Sequence, residues 1–185
     1  MHKNIIGVVG RKLSGKGTFG ALFSEICADK KVARMSFSDV LRDTLVAWGL
    51  PLTRHNLQRL AIIMNDEFGE GTLTHAVLLR VEKVDADIVI LDGIRWPSDR
   101  NMLRQKPGFR MVYIMADSAV RYARRKAGQK AGEAEVSLQQ FEEEDHVLTE
   151  QLIEEIGESA DYVIENNGTE TEFRERVHEL FRKDS

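Results

Sequence analysis

The segment from Gly10 to Thr18 constrains this chain more than any other part of its sequence. It reads GRKLSGKGT, in which a glycine, four further residues and a glycine–lysine pair follow a short apolar run. This is the spacing of a loop that binds phosphate groups. Its glycines let successive backbone N–H groups point inward, and the following helix contributes its positive N-terminal end. The sequence therefore predicts a polyphosphate site formed by Leu13, Ser14, Gly15, Lys16, Gly17 and Thr18.

Two side chains of this segment, which we call the phosphate loop (residues 10–18), have predicted chemical roles. Lys16 is expected to bridge the β- and γ-phosphates of a nucleotide, and a hydroxyl group is expected to face Mg²⁺. The usual pattern places a serine or threonine directly after the lysine. Here Gly17 intervenes and Thr18 supplies the hydroxyl group.

Asp92 is the second candidate for the magnesium site, because it ends a run of four aliphatic residues. A carboxylate at the end of a parallel strand lines the ligand crevice and can hold a Mg²⁺-bound water there. Taken alone, this aspartate would simply open a glycine turn. Beside the phosphate loop, it predicts a role in metal binding.

Short apolar, β-branched runs alternate with amphipathic stretches along the chain. Such runs are typical of strands buried on both faces, and strands that alternate with helices form parallel sheets. The sequence therefore predicts one domain, residues 1–185, with a three-layer α/β/α architecture around a five-stranded parallel sheet. The strands are expected near residues 4–10, 32–37, 87–92, 110–115 and 162–165. The helices are expected near residues 16–29, 38–48, 53–64, 72–84 and 137–156, and after residues 117 and 169.

Composition excludes several classes of protein. Hydrophobic residues make up 42% of the chain and charged residues 30%, which is the balance of a soluble globular domain. No apolar stretch approaches the roughly 20 residues that cross a bilayer, so we expect no membrane association. The single cysteine, Cys27, excludes an internal disulfide and favours a reducing compartment, and a cytoplasmic location is therefore expected.

Charge is distributed unevenly along the chain. Residues 1–130 contain 22 lysines and arginines against 13 aspartates and glutamates, whereas residues 131–185 contain 4 against 17. The basic part suits a phosphate-bearing ligand, and the net charge of −4 argues against a general nucleic-acid binder. We expect small-molecule substrates, no nucleic acid, and a monomer or small homo-oligomer.

With these motifs identified, the chain resembles the nucleoside monophosphate kinase and dephospho-coenzyme A kinase branch of the P-loop proteins. Residues 15–18, GKGT, are similar to the loop ending of adenylate-kinase-like enzymes, and residues 37–42, FSDVLR, resemble their segment after the second strand. Residues 91–95, LDGIR, are similar to their Leu-Asp-Gly-aromatic-Pro-Arg element, one residue shorter and without the proline. Residues 160–169 are most similar to the C-terminal segment of dephospho-coenzyme A kinases, which passes near the donor base.

The resemblance implies an acceptor side formed by a helical insert, about residues 38–84. Arg42 and Arg95 would hold the acceptor, with Arg54 as a weaker third candidate. Asp39 would orient the acceptor or accept its proton. Because Asp39 and Arg42 are three residues apart, they face one side of a helix, and they could equally form an ordinary helix pair.

The resemblance also implies a short lid, about residues 124–137, after a basic cluster. Arg124 would close over the transferring phosphate and neutralise its charge. Gly128 stands where the related kinases have a second arginine, so Arg125 or Lys130 is the candidate replacement. On the donor side, Asn167 is expected to bind ATP.

Together these features predict a Mg²⁺-dependent kinase that transfers the γ-phosphoryl group of ATP to a ribo- or deoxynucleoside monophosphate. Dephospho-coenzyme A is the alternative acceptor, although the sequence lacks the Pro-Leu-Leu-Phe-Glu element of those kinases. A regulatory nucleotide-binding ATPase or switch is an alternative of another class. A GTPase would need an Asn-Lys-x-Asp element, which this sequence does not contain.

Overall fold

A computed structural model describes residues 3–128, 136–143 and 151–182. Within these ranges, no helix is both long and apolar enough to span a membrane. The described elements are, in chain order, β1 (Asn4–Val9), α1 (Lys16–Ile26), β2 (Val32–Ser36), α2 (Phe37–Ala47), α3 (Arg54–Phe68), α4 (Thr72–Lys83), β3 (Ile88–Asp92), α5 (Pro97–Arg104), β4 (Arg110–Met115), α6 (Ser118–Ala127), α7 (Leu138–Glu143), α8 (Ile153–Glu158), β5 (Tyr162–Glu165) and α9 (Glu170–Arg182).

The five strands form one parallel sheet in the order β2-β3-β1-β4-β5. Val89 of β3 is aligned with Ile5 of β1 on one side and with Ala33 of β2 on the other. The aliphatic run Ile88–Leu91 is at most 5% exposed at each position, as expected for a strand covered on both faces. The three-layer α/β fold with a five-stranded parallel sheet is therefore confirmed.

The chain contains two compact units. The first comprises Met1–Val8 and Cys27–Arg110, and the second comprises Val9–Ile26 and Met111–Ser185. In the first unit β3 is buried together with Phe37, Leu41, Leu45, Leu60, Val77 and Val81 of the helical insert. In the second unit the core includes Phe19, Phe23, Ile114, Phe141, Ile156 and Phe173. The single-domain organisation stays a prediction.

Several helices begin where their capping residues predict. The Thr53 hydroxyl accepts a hydrogen bond from the Asn56 N–H at 3.1 Å at the start of α3. At the start of α7, Ser137 Oγ accepts from the Gln140 N–H at 3.1 Å, and Gln140 Oε1 accepts from the Ser137 N–H at 3.0 Å. This reciprocal pair is the predicted capping box.

Several helical segments differ from the prediction; α1 ends three residues before its expected end and α3 ends four residues after it. Helix α2 begins one residue earlier than expected, because Ser36 caps it and the Asp39 carboxylate accepts from the Ser36 N–H at 2.7 Å. Helix α5 is absent from the predicted elements, although Pro97 in its first turn is a common helix start. The predicted acidic helix 137–156 corresponds to α7 and α8, and residues 144–150 lie outside the described residues.

Gly7 lies in β1 at a position with no room for a side chain. A Cβ there would be 2.7 Å from Ile94 Cδ1 and 2.9 Å from two ring atoms of Phe109, and both of these side chains are buried. We expect Gly7→Ala to lower the free energy of unfolding by about 1–3 kcal/mol through overpacking, measured by urea denaturation.

Gly128→Ala is the control for this substitution. The φ angle of Gly128 is −89°, and a Cβ there would lie 3.4 Å from its nearest neighbour, which is ordinary contact. Its free energy of unfolding should stay within about 0.5 kcal/mol of the wild type. Equal stability of the Gly7 and Gly128 variants would contradict the close packing of β1.

Candidate active site

The phosphate loop joins β1 to α1 with an unusual backbone. The φ angles of Gly10, Leu13 and Gly15 are 155°, 64° and 112°. Leu13 is the one non-glycine residue with a positive φ in the described part of the chain, a conformation that costs a residue with a Cβ about 1–2 kcal/mol. The Ser14 N–H donates to the Arg11 carbonyl at 3.1 Å and closes a turn within the loop. Turns of this kind direct successive N–H groups toward an anion.

Lys16 reaches back across the loop from the first turn of α1. Its Nζ donates to the carbonyl oxygens of Gly10 at 2.8 Å and Arg11 at 3.2 Å. A phosphate bound in the loop would compete with these carbonyls for the same protons. Gly17 and Thr18 are exposed in the same helical turn, so a ligand can reach their backbone and the Thr18 hydroxyl.

Gly10 and Ser14 pack tightly against the end of β4. Ser14 is fully buried, and a Cβ on Gly10 would lie 2.6 Å from Ser14 Oγ and 2.5 Å from the Ile114 carbonyl oxygen. The first glycine of the motif is therefore required by packing as well as by backbone conformation.

Two side chains from distant parts of the sequence, Arg124 and Asn166, bind the carbonyl groups of the phosphate loop, and we call this pair the loop clamp. Arg124 donates to the carbonyls of Leu13 at 3.1 Å and Ser14 at 3.4 Å. It also donates to the Asn166 carbonyl at 2.7 Å and to Asn166 Oδ1 at 3.1 Å. Asn166 Nδ2 in turn donates to the Ser14 carbonyl at 2.7 Å. The clamp thereby fixes the direction of two loop peptides.

Burial accompanies these contacts. Asn166 is 6% exposed, and a Cβ on Gly15 would overlap its Nδ2 atom, so glycine is also required at this second loop position. Desolvation lowers the pKa of Arg124 from its usual value. A guanidinium group remains protonated at neutral pH despite such a shift, so the clamp carries a positive charge next to the loop.

Arg121, one turn before Arg124 on α6, is a third basic residue in contact with the loop. It is 3% exposed, and its guanidinium group donates to the carbonyls of Ala116 at 3.1 Å and Lys12 at 3.4 Å. The same group lies 5.4 Å from the ring centroid of Phe141. Arg121 belongs to the basic cluster that precedes the predicted lid, together with Arg124, Arg125 and Lys126, but the sequence predicted no role for it.

A cavity of about 420 Å³ lies at the end of β4 beside the phosphate loop. Its charged lining residues are Arg11, Asp117, Arg121, Glu142 and Glu154, and Arg11 pairs with Glu154 at 2.9 Å. Its volume falls in the range of small-molecule sites.

The other predicted residues of this unit lie on or near α6. Asn167 Oδ1 accepts a hydrogen bond from the Asp117 N–H at 2.8 Å, so this residue lies at the start of α6. Arg125 is half-buried on the same helix. Lys130 and residues 129–135 of the predicted lid lie outside the described residues.

In the first unit, two predicted carboxylates lie at the ends of neighbouring strands. Asp92 ends β3, where it is aligned with Ser36 of β2, and Asp39 is hydrogen-bonded to the Ser36 N–H. Asp92 Oδ1 is buried and has no hydrogen-bond partner among the residues that the structure describes. A buried carboxylate oxygen of this kind is suited to a ligand or to a metal-bound water.

The predicted acceptor arginines lie on three different parts of the first unit. Arg42 is exposed on α2, one turn after Asp39, and Arg54 is exposed at the start of α3. Arg95 is half-buried in the turn between β3 and α5.

In the described ranges, no group of three His, Cys, Asp or Glu side chains is arranged to hold a metal ion. Magnesium in phosphoryl-transfer sites is usually held by one or two protein oxygens together with substrate phosphates and water. The Thr18 hydroxyl and the Asp92 carboxylate are oxygen groups of the type that this ion prefers.

Comparisons with known proteins identify a related family and several solved structures of similar fold. No protein-family model matches the chain. A UPF0200 protein of Methanoregula boonei is 32% identical over 184 residues, which cover 96% of this chain and 95% of the relative. Shikimate kinase from Acinetobacter baumannii, solved with shikimate, has a TM-score of 0.56 at 19% identity and covers 99% of this chain and 95% of its own. Dephospho-CoA kinase from Campylobacter jejuni has a TM-score of 0.53 at 15% identity, with coverage of 99% and 98%. The fold therefore resembles that of small-molecule P-loop kinases.

The loop clamp predicts a measurable effect on polyphosphate binding. Asn166→Ala removes the donor to the Ser14 carbonyl and one acceptor of Arg124, so the loop peptides lose their fixed direction. We expect the affinity for Mg²⁺ and the ATP analogue AMP-PNP to fall about tenfold or more, measured by isothermal titration calorimetry.

Asn56→Ala is the matched control, because Asn56 also donates from Nδ2 to a backbone carbonyl, that of Pro51, at 2.8 Å. Its affinity for the analogue should equal that of the wild type. An unchanged affinity in Asn166→Ala would show that the clamp does not control the phosphate loop.

Proposed function

The chain belongs to the UPF0200 family, and from that premise we propose that it is a kinase that transfers the γ-phosphoryl group of ATP to a small-molecule acceptor. The proposal rests on the structure of the phosphate loop. The phosphate loop has a backbone with three positive φ angles, and Arg124 and Asn166 bind its carbonyl groups. The fold supports the proposal, because the similar solved structures include kinases of shikimate and dephospho-CoA.

The reaction mainly requires that the two substrates be held in position and that the negative charge of the phosphates be neutralised. An acceptor oxygen attacks the γ-phosphorus, the bond to the β–γ bridging oxygen breaks, and ADP leaves with the bonding electron pair. The loop N–H groups would bind the β-phosphate. Lys16 would exchange its bonds to the Gly10 and Arg11 carbonyls for bonds to phosphate oxygens, which are stronger because both partners are charged.

Arg124 would act by holding the phosphate loop. Four hydrogen bonds to protein oxygens occupy its two terminal nitrogens, which supports a positioning role in preference to the direct phosphate contact expected from the sequence. Arg125, half-buried on the same helix, is then the candidate for neutralising charge on the transferring group. Asn167 and the cavity at the end of β4 would serve the donor nucleotide.

Magnesium would be held through oxygen groups. The Thr18 hydroxyl is exposed at the start of α1, and Asp92 has a buried carboxylate oxygen without a partner in the described residues. When bound with ATP, the ion would neutralise charge on the β- and γ-phosphates. Thr18 would bind the ion directly, and Asp92 would hold one of its water molecules.

For the acceptor, we propose a nucleoside monophosphate, with dephospho-coenzyme A as the alternative. A phosphate acceptor is already an anion, whereas a hydroxyl acceptor has a proton to lose to a base. Asp39, the candidate base, accepts a backbone hydrogen bond at the start of α2, a capping role that needs no catalytic function. This supports an acceptor that needs no base, held through its phosphate by Arg42 and Arg95, with Arg54 as a further contact.

A regulatory ATPase or switch is the alternative of another class. Such a protein would hydrolyse ATP at a rate that no small acceptor changes, and a protein partner would stimulate it. A kinase would release ADP only when its acceptor is present.

The direct test is an ADP-release screen over the ribo- and deoxynucleoside monophosphates and dephospho-coenzyme A, with ATP and GTP as donors. We expect ADP release that depends on the acceptor. Lys16→Ala should abolish it, because the variant lacks the cation that binds the phosphates during transfer. Circular dichroism should show an intact fold, and Lys31→Ala, which removes an exposed lysine paired with Asp85 at 2.7 Å, should retain full activity. The proposal would be contradicted by a rate of ADP release that no acceptor changes, or by ADP release that persists in Lys16→Ala.

Substitution of Arg42 tests whether this residue binds the acceptor or the donor nucleotide. Arg42→Ala should raise the KM of the acceptor or lower kcat, and should leave ATP affinity nearly unchanged, measured by steady-state kinetics and calorimetry. Arg59→Ala, which removes another exposed arginine of the insert, is the control and should behave as the wild type. A collapse of ATP affinity in Arg42→Ala would place Arg42 on the donor side.

A further inference from the structure

Thr74 and Asp99 form a buried polar pair that the proposed mechanism does not use. Thr74 is fully buried on α4 and Asp99 is 2% exposed in the first turn of α5. The Thr74 hydroxyl donates to Asp99 Oδ1 at 2.5 Å. The pair therefore joins the helical insert to the segment that follows β3.

The second oxygen of the same carboxylate binds the turn that carries Arg95. Asp99 Oδ2 accepts from the Trp96 N–H at 3.2 Å and from the Arg95 N–H at 3.4 Å. The two oxygens of Asp99 thus have different partners: Oδ1 binds α4, and Oδ2 binds the turn. A shift of α4 would be passed through the carboxylate to the backbone of Arg95.

The buried Asp99 carboxylate has lost its hydration by water, so its hydrogen bonds to the protein must replace that hydration. Burial raises the pKa of Asp99 above its usual value, while the hydrogen bonds from Thr74, Arg95 and Trp96 act in the opposite direction. A buried carboxylate that loses one of its donors keeps its desolvation penalty, and neighbouring groups rearrange to supply another.

A second contact joins the same two helices. Gly71 precedes α4 with a φ of 84°, and a Cβ there would overlap the Met102 sulfur on α5. The start of α4 and helix α5 are therefore in close contact at a second point, one turn from the polar pair along each helix.

We propose that Thr74 and Asp99 are positioning residues for the phosphoryl acceptor: they fix the backbone from which Arg95 extends and so set the affinity for the acceptor. This inference rests on the proposed function, in which Arg95 holds the acceptor. Neither residue contacts substrate in this account. They act by fixing the position of Arg95.

Thr74→Val tests the proposal, because it removes the hydroxyl group and keeps the shape of the side chain. With the acceptor of the screen that gives the highest kcat/KM, we expect the acceptor KM to rise about tenfold or more and the ATP KM to stay within about twofold. Thr74→Ser keeps the hydroxyl and should restore the acceptor KM. Thr44→Val, which removes a hydroxyl bonded to the Val40 carbonyl at 2.9 Å in the same insert, should have no effect.

Fluorescence of Trp96 supplies a readout that does not depend on turnover. In a Trp48→Phe background, Trp96 is the remaining tryptophan, and acrylamide quenching reports how well the turn is held. Quenching should increase in Thr74→Val and return to the wild-type value in Thr74→Ser. If Thr74→Val does not fold, Asp99→Asn replaces it, because an asparagine cannot accept hydrogen bonds on both sides, and the same changes are expected.

The outcomes separate this inference from the proposed function. A wild type that is inactive with every acceptor overturns the proposed function and, with it, the acceptor role of the pair. An active wild type whose acceptor KM and Trp96 quenching are unchanged in Thr74→Val overturns the inference alone. A parallel rise in the KM values of acceptor and ATP also overturns it, since that pattern indicates a general loss of structure.

Discussion

The hydrogen bonds from Arg124 and Asn166 to the carbonyls of Leu13 and Ser14 are the interaction on which the phosphate loop depends. A peptide group is planar, so its N–H and C=O point in opposite directions, and fixing the carbonyl fixes the N–H. Leu13 has a positive φ that costs about 1–2 kcal/mol. Hydrogen bonds to a charged group contribute about 1.5–3 kcal/mol each and can offset this strain. The loop is thus held ready to bind an anion.

The parallel sheet explains why residues so far apart in sequence meet at the loop. Asn166 directly follows β5, and its N–H donates to the carbonyl of Met115, the last residue of β4, at 2.7 Å. Arg124 lies on the helix that follows β4. In parallel sheets the carboxyl ends of the strands share one edge, and this edge is where ligands bind. In the first unit the same rule brings Ser36 of β2 next to Asp92 of β3.

The sequence could predict the phosphate loop and the sheet, because glycines, a lysine and apolar runs carry the backbone requirements in their spacing. It could not predict the clamp, since Asn166 lies 152 residues from Ser14 and binds a backbone carbonyl, which leaves no pattern in the sequence. Arg124 was identified from its position in the resembling kinases, whereas its contacts with the loop required the structure. Asp99 was missed with helix α5, although Pro97 followed two residues later by an aspartate is a recognisable helix start.

Everything proposed for this protein requires the backbone of residues 10–18 to bind the polyphosphate of a nucleotide. A crystal structure with Mg²⁺ and AMP-PNP would show this binding. We expect β-phosphate oxygens within hydrogen-bond distance of the N–H groups of residues 15–18, with Lys16 Nζ moved from the Gly10 carbonyl to the phosphates. A nucleotide bound elsewhere, or a loop in which Leu13 has left its positive φ and the clamp is broken, would contradict it.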